Sequence, residues 1–477
     1  MGKDSLTLTD NRTNKTYEID IADSTIRAKD LRQIKVTDDE FGMMSYDPSF
    51  ENTASCKSSV TYIDGDNGIL RYRGYPIEQL AESSSQLEVS KLLIDGELPN
   101  EKELKKWTQD IKDNNDIPEE LIKIVESFPN NSHPMGVLIS LIAALSTFYP
   151  DSKNITNERE NYLNICRLIA QVPILAAYYY RHSQGLKVVP PDNSLSYAEN
   201  FLNMLFEGDE KKLHPNLVSA MDTLLILHAD HEQNCSASVM RNVGSSEPDP
   251  YSAVSAATSA LYGPLHGGAN EAVLEMLNLI ETTDNIPVFL DKVQKKEVKL
   301  MGFGHRVYKA YDPRAKYIKK AADSVFEVTG TNPLLDIALK LESIALSEDY
   351  FIQRNLYPNV DFYSGLIYQS MGIPTEMFTV LFTIGRTPGW LAQWKEFLAD
   401  KDQKIAKSYG AVCTPDFFGY NSNLELQYRG RIRELKELKP TTTGDSELKI
   451  AMNLIATTGK GPQNQNPSMG CNIKWFS

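Results

Sequence analysis

From Pro76 to Glu271 the apolar residues of this chain recur about every 3.6 residues, in stretches punctuated by Pro and Gly. Such a pattern buries one stripe of each segment and wets the other, so it folds as successive helices packed on one another. The clearest stretches are Leu138 to Phe148, Tyr162 to Tyr180 and Leu217 to Ala229. The period resumes at Glu271 to Ile280, with Asn270 in an N-cap position, and again at Arg314 to Thr329, Pro333 to Leu346 and Pro374 to Leu398. Strand-like alternation is confined to the start. Leu6 and Leu8, then Tyr17 and Ile19, flank the turn-prone run Asp10 to Asn14, and Val60, Tyr62 and Ile63 precede Gly65-Asp66-Asn67-Gly68. The expected fold class is mainly α with a small N-terminal β segment.

Lys and Arg number 49 against 63 Asp and Glu, a net charge of −14. That balance argues against nucleic acid or a membrane surface as partner. An anionic substrate must then be met by cations gathered in one place. With 41% hydrophobic and 23% charged residues, the chain has the apolar content of a packed globular protein rather than a disordered one. The five cysteines, Cys56, Cys166, Cys235, Cys413 and Cys471, are odd in number and form no C-x-x-C pair, which predicts reduced thiols in a cytosol-like compartment. Met1 to Asp10 carries Asp4 and Asp10 without an apolar core or Arg-rich stretch, Leu6 replaces the Ser or Thr of a myristoylation motif, and Trp475-Phe476-Ser477 is no peroxisomal tripeptide. A cytoplasmic protein is expected, and no apolar run nears the roughly 18 residues of a membrane span.

Of the seven histidines, His228, His231, His266 and His305 lie in short polar islands beside apolar helices. In Leu227 to Asn234 two of them stand three apart, on one face if the helix persists. The order differs from that of zinc-binding helices and no Cys-rich segment accompanies it, so no metal is expected. In Gly263 to Asn270, His266 precedes two glycines and a helix start, which suits close approach to an anionic oxygen but equally a tight interhelical turn. Gly302 to Arg314 packs His305 with cations including Lys309 and Arg314, a setting for carboxylate and phosphate recognition. Asp361 is flanked by aromatic residues that would desolvate it into a stronger base, or it caps a helix beginning near Tyr363. Arg386 adds a helix-borne guanidinium in Gly385 to Trp390.

These motifs, in this order and spacing, resemble the citrate synthase family from the N-terminal hairpin to about Trp394, and the opening hairpin and Gly65-Asp66 turn look like its bacterial-type branch. The resemblance implies a large helical domain, residues 61–276 with 387–438, and a smaller helical domain, 277–386, closing over the substrates. Residues 1–60 form the β-hairpin segment and 439–477 a partly irregular tail. It implies condensation of acetyl-CoA with oxaloacetate, without metal or redox cofactor, in a homodimer or a hexamer of such dimers. Asp361 would take a methyl proton from acetyl-CoA, His266 would stabilise the enol, and His305 would polarise the oxaloacetate carbonyl. His231, Arg314 and Arg386 would hold oxaloacetate, with Lys309 and Arg354 on the CoA phosphates.

One departure stands out. The family's partner-donated arginine follows in an Arg-Pro-Arg-Gln segment, whereas this chain has Lys404 to Tyr409 there and Tyr428 to Arg433 later, which makes Arg431 the substitute. A 2-methylcitrate synthase using propionyl-CoA, and a silent assembly protein of the same fold, are the competing readings. Some bacterial-type relatives are inhibited by NADH. Tyr149 and Arg167 fit such a site, but Gln109 to Asp116 offers mostly Asp and Asn beside Lys112, so strong NADH control is not expected.

Overall fold

The computed structural model describes residues 4–48, 50–305, 307–330, 332–401, 413–414, 417–423, 425–431, 435–436, 439–440, 445–466 and 471–472. The chain divides into two compact units, Met1–Ser59 and Val60–Ser477. In the first, strands Ser5–Asp10, Lys15–Ala22 and Thr25–Ile26 form an antiparallel sheet with Leu8 opposite Tyr17. Its turn is held by Asp10, whose carboxylate accepts both the backbone and the guanidinium N–H of Arg12.

The second unit begins with a small sheet, Thr61–Asp64, Ile69–Tyr72 and Tyr75–Pro76. Asp64 accepts from the backbone and side-chain N–H groups of Asn67 and closes the turn. Helices follow, many begun by polar caps. Ser85, Asn100 and Ser196 each close a capping box at the start of Gln86–Asp95, Glu101–Lys112 and Tyr197–Phe206, each cap contributing about 1 kcal/mol.

A single apolar cluster runs from Val60 to Leu398 and includes Trp107, Trp390 and Trp394. Its axis is the helix Phe378–Lys401, in which every residue from Phe378 to Trp394 is buried. A helix buried all round is packed on all sides, here by Gln86–Asp95, Glu158–Ser183, Pro215–Leu227, Cys235–Gly244 and Pro250–Leu261. Gly389 lets it approach the segment after Leu227, since a Cβ there would lie 2.0 Å from the Ala229 carbonyl oxygen.

Element types follow the sequence periodicity, but three local expectations fail. The helix Pro215–Leu227 stops with His228 at its C-cap, so His228 and His231 do not share a helical face. Asn270 is not an N-cap. The helix Ala269–Ile280 has Gly268 there, and buried Asn270 accepts instead from the N–H of Glu271. Asp361 is not a cap either, because the helix Val360–Ser370 starts earlier and is capped by Asn359.

The ends drawn at 277 and 386 for the smaller domain both fall inside helices, Ala269–Ile280 and Phe378–Lys401. Near the C-terminus, a hairpin of Phe417–Tyr420 and Leu426–Gly430 carries the helix Glu447–Thr458. They share a separate small core of Tyr428, Ala451 and Ile455. Among the described residues no helix is long and apolar enough to cross a membrane.

Candidate active site

Two loops carrying predicted site residues are zipped together. Gly304 N–H donates to the Tyr357 carbonyl, Asn359 N–H to Gly302, and Asn359 Nδ2 to Gly304, at 2.8 to 2.9 Å. Gly302 makes this possible, with φ at +76° and an added Cβ only 2.7 Å from Val273 Cγ2. The zipper fixes His305, just after the first loop, relative to Asp361, just after the second.

His305 Nδ1 accepts the backbone N–H groups of Val307 and Tyr308, at 3.0 and 3.2 Å. A nitrogen that accepts two such bonds carries no proton, so the ring proton sits on Nε2. Burial first, then Arg314, lowers the His305 pKa to about 4, which leaves the ring neutral at pH 7. Its ring lies 5.2 Å from that of His231 and 4.7 Å from that of Tyr308. Burial and Arg314 also hold His231 well below the usual histidine range.

His266 is fixed by a different segment, the helix Cys235–Gly244. Its Nε2 accepts the Ser236 N–H at 3.3 Å and lies 2.9 Å from Ser236 Oγ, while Trp390 Nε1 donates to the same Oγ. The His266 proton therefore sits on Nδ1. Burial, then Arg386, lowers this ring to about 4. Both imidazoles are neutral donors, of opposite tautomers.

Arg314 and Asp312 form a buried bidentate pair, with Nε to Oδ1 at 3.0 Å and Nη2 to Oδ2 at 2.8 Å. Burial opposes the Asp312 charge, but Arg314 outweighs it and keeps the carboxyl below its usual range. Arg314 Nη1 has no hydrogen bond among the described residues. Arg386 is 1% exposed, donates from Nε to the His228 carbonyl at 2.6 Å, and leaves Nη1 without a partner. Burial lowers its pKa to about 10. Two buried guanidinium groups with spare N–H donors have the chemistry to receive a small dianion.

Asp361 is half-buried as a residue, yet its Oδ1 is shut off from solvent and has no hydrogen-bond partner. Burial raises the carboxyl to about 6, and Arg314 and Arg386 only partly counter it. A desolvated, unpartnered carboxylate within the field of two arginines is suited to take a proton.

The remaining predicted residues make no hydrogen bond to this cluster among the described residues, although the Lys309 charge acts on His305, or they lie outside the described residues. Lys309 is exposed, its backbone N–H on the Gly65 carbonyl. Arg354 is exposed, over the Tyr350 ring at 4.1 Å. Arg431 pairs at 3.0 Å with Glu447, the first residue of the helix Glu447–Thr458. Arg306, Lys404 to Tyr409 and Ile432 to Arg433 lie outside the described residues. Arg167 stacks on Tyr149 and pairs with Glu160. No group of three or more His, Cys, Asp or Glu suited to a metal occurs among the described residues. Sequence reasoning missed Ser236 and Tyr308 as site residues. Ser236 lies two places after Asn234 in the first histidine island, and Tyr308 is inside the His305 motif, but neither residue type signals its partner.

The family model for the citrate synthase C-terminal domain matches residues 49–408. A citrate synthase of Dictyostelium discoideum is 53% identical over 412 residues, 84% of this chain and 80% of that one. Citrate synthase 1 of Mycobacterium tuberculosis is 51% identical over 372 residues, 77% of this chain and 86% of that one. Relatives thus come from eukaryotes and bacteria alike, and a branch is not singled out. The crystal structure of citrate synthase from Pyrobaculum aerophilum superposes with a TM-score of 0.70 at 38% identity, covering 77% of this chain and 93% of that one. A Thermoplasma acidophilum citrate synthase in ternary complex with carboxymethyl coenzyme A and oxaloacetate gives a TM-score of 0.67 at 32% identity, covering 74% and 92%. With its described site, its helical fold and a match over most of its length, this chain belongs to the citrate synthase family.

Proposed function

We propose that the chain condenses acetyl-CoA with oxaloacetate to citrate and CoA, with the base at Asp361. The observation that carries this reading is the desolvated Asp361 carboxylate, unpartnered at Oδ1, in the field of Arg314 and Arg386. Asp361 takes a proton from the acetyl methyl group, and His266 Nδ1–H hydrogen-bonds the thioester oxygen on which charge develops. The enol carbon attacks the oxaloacetate carbonyl carbon while His305 Nε2–H gives its proton to the carbonyl oxygen. Water then cleaves citryl-CoA, releasing citrate and CoA. Arg314, Arg386 and His231 hold the oxaloacetate carboxylates, and Lys309 and Arg354 meet the CoA phosphates.

Residues 277–386 form the smaller domain, whose closure over the large one excludes water from the enol. The chain works as a homodimer, or a hexamer of such dimers, with Arg431 reaching the neighbouring site. A reducing compartment such as the cytoplasm is supported by the odd number of cysteines and the lack of a C-x-x-C pair, and the product feeds the tricarboxylic acid cycle. The test is thiol release from acetyl-CoA and from propionyl-CoA with oxaloacetate present. Faster turnover of acetyl-CoA is expected, and a strong preference for propionyl-CoA overturns the substrate assignment.

Two predictions follow from the tautomers and charges. With Asp361 at about 6 and both imidazoles at about 4, the base is ionised above pH 6 and the donors are already neutral. The kcat/KM for acetyl-CoA falls by about tenfold per unit as pH drops below about 6, through protonation of Asp361. A profile flat down to pH 5 would exclude Asp361 as the base. Ser236→Ala keeps the backbone N–H on His266 but loses the Oγ contact and strands Trp390 Nε1. The expected result is a kcat lower by about tenfold and a stability loss of about 1 to 3 kcal/mol, read by turnover and denaturant melts.

A further inference from the structure

We propose that Tyr308 is a positioning residue that sets the tautomer and orientation of His231 and His305 together, and so fixes the grip on oxaloacetate. The inference rests on the condensing activity proposed above. Tyr308 is 1% exposed and packs against both His231 and His305. Its backbone N–H donates to His305 Nδ1 at 3.2 Å, its hydroxyl lies 3.3 Å from His231 Nε2, and its ring lies 4.7 Å from His305 and 5.6 Å from His231. The Arg314 guanidinium sits 5.9 Å from the same ring centroid.

The direction of the hydroxyl bond follows from its surroundings. Burial, only partly offset by Arg314, pushes the Tyr308 phenol above its ordinary range, so it stays protonated. His231 is neutral, for the reasons given above. The other ring nitrogen of His231 donates to the His231 backbone carbonyl, so Nε2 carries no proton and accepts the Tyr308 hydroxyl. That leaves the His231 proton on Nδ1. One residue thereby fixes the proton of His231 through its hydroxyl and helps fix that of His305 through its backbone N–H. A phenylalanine would keep the ring and the backbone bond while leaving a buried imidazole nitrogen unpaired and free to change tautomer.

The test is Tyr308→Phe in the full-length chain. The expected result is an oxaloacetate KM raised by about tenfold, with kcat and the acetyl-CoA KM within about twofold of the parent. In a His231→Asn background the same substitution changes the oxaloacetate KM no further, because both variants remove one interaction. Nitrogen-15 spectra of histidine-labelled protein report Nδ1 as the protonated His231 nitrogen in the parent and a mixture of tautomers in Tyr308→Phe. An unchanged oxaloacetate KM, additive effects in the His231→Asn background, or a His231 tautomer that does not respond would each overturn the proposal. A parent chain that condenses nothing would instead refute the activity on which it rests.

Discussion

Asp361→Asn lowers kcat by about 10² to 10⁴-fold while the protein folds as before. The amide has the size of the carboxylate and the helix Val360–Ser370 keeps its cap, because Asn359 Oδ1 accepts the N–H of residue 361 whatever side chain stands there. The native carboxylate is costly, with Oδ1 buried and unpartnered, so replacing its charge removes a desolvation penalty rather than a bond. Melting temperature is therefore equal to or above that of the parent, and the KM for oxaloacetate moves little. Turnover by thiol release and a thermal melt, on the same preparation, check both halves. A variant retaining more than about a tenth of parental kcat would remove Asp361 from the chemistry, since general-base catalysis contributes at least about 10²-fold. A variant that is inactive and unfolded would instead give the carboxylate a structural role that its lack of partners contradicts.

How much of this was legible in the sequence depended on the range of the interaction. Helix type is a local matter of apolar period and caps, so Tyr162 to Tyr180 announced the helix Glu158–Ser183 without reference to anything distant. The failures come where a distant contact overrides the local signal. His228 and His231 looked like one helical face, but Tyr72 takes the chain out of the helix there by donating its hydroxyl to the Asp230 carbonyl at 2.9 Å. The helix Phe378–Lys401 crowds the same segment from the other side. Asp361 read as equally a cap or a base, and the choice turned on Asn359, whose side chain takes the cap while its amide ties the two loops.

The site behaves likewise. His266, His305 and Arg314 stand in motifs dense enough to be noticed in one dimension. Ser236 and Tyr308 do not, because a serine or a tyrosine acquires a role only from the imidazole folded against it, 30 residues away for Ser236 and 77 for the Tyr308 hydroxyl. The stretch 387–438 reads as part of the large helical domain, yet it holds the hairpin of Phe417–Tyr420 and Leu426–Gly430. Its hairpin strands are too short for alternation to register, and their apolar residues are covered by a helix that follows later in the chain.

Arg314→Met separates folding from substrate binding at the same residue. Removing the guanidinium strands Asp312, which is 2% exposed and pairs with Arg314 through both carboxylate oxygens. Breaking one side of such a pair costs about 3 to 5 kcal/mol, most of it the penalty of an unpaired buried charge. Asp312→Asn destabilises by the same mechanism, leaving Arg314 without its counter-charge. The double variant Asp312→Asn/Arg314→Met carries neither buried charge and regains most of the lost stability, so the two single costs do not add.

Binding follows a different rule. In the proposed complex Arg314 Nη1, unbonded among the described residues, meets an oxaloacetate carboxylate. Losing that contact raises the oxaloacetate KM at least about 30-fold in both Arg314→Met and the double variant. Denaturant melts on all three variants and oxaloacetate titrations on the active ones read the two effects independently. Recovery of stability without recovery of affinity is the expected outcome. Recovery of both would make Arg314 a purely structural partner of Asp312 and leave Arg386 as the substrate cation.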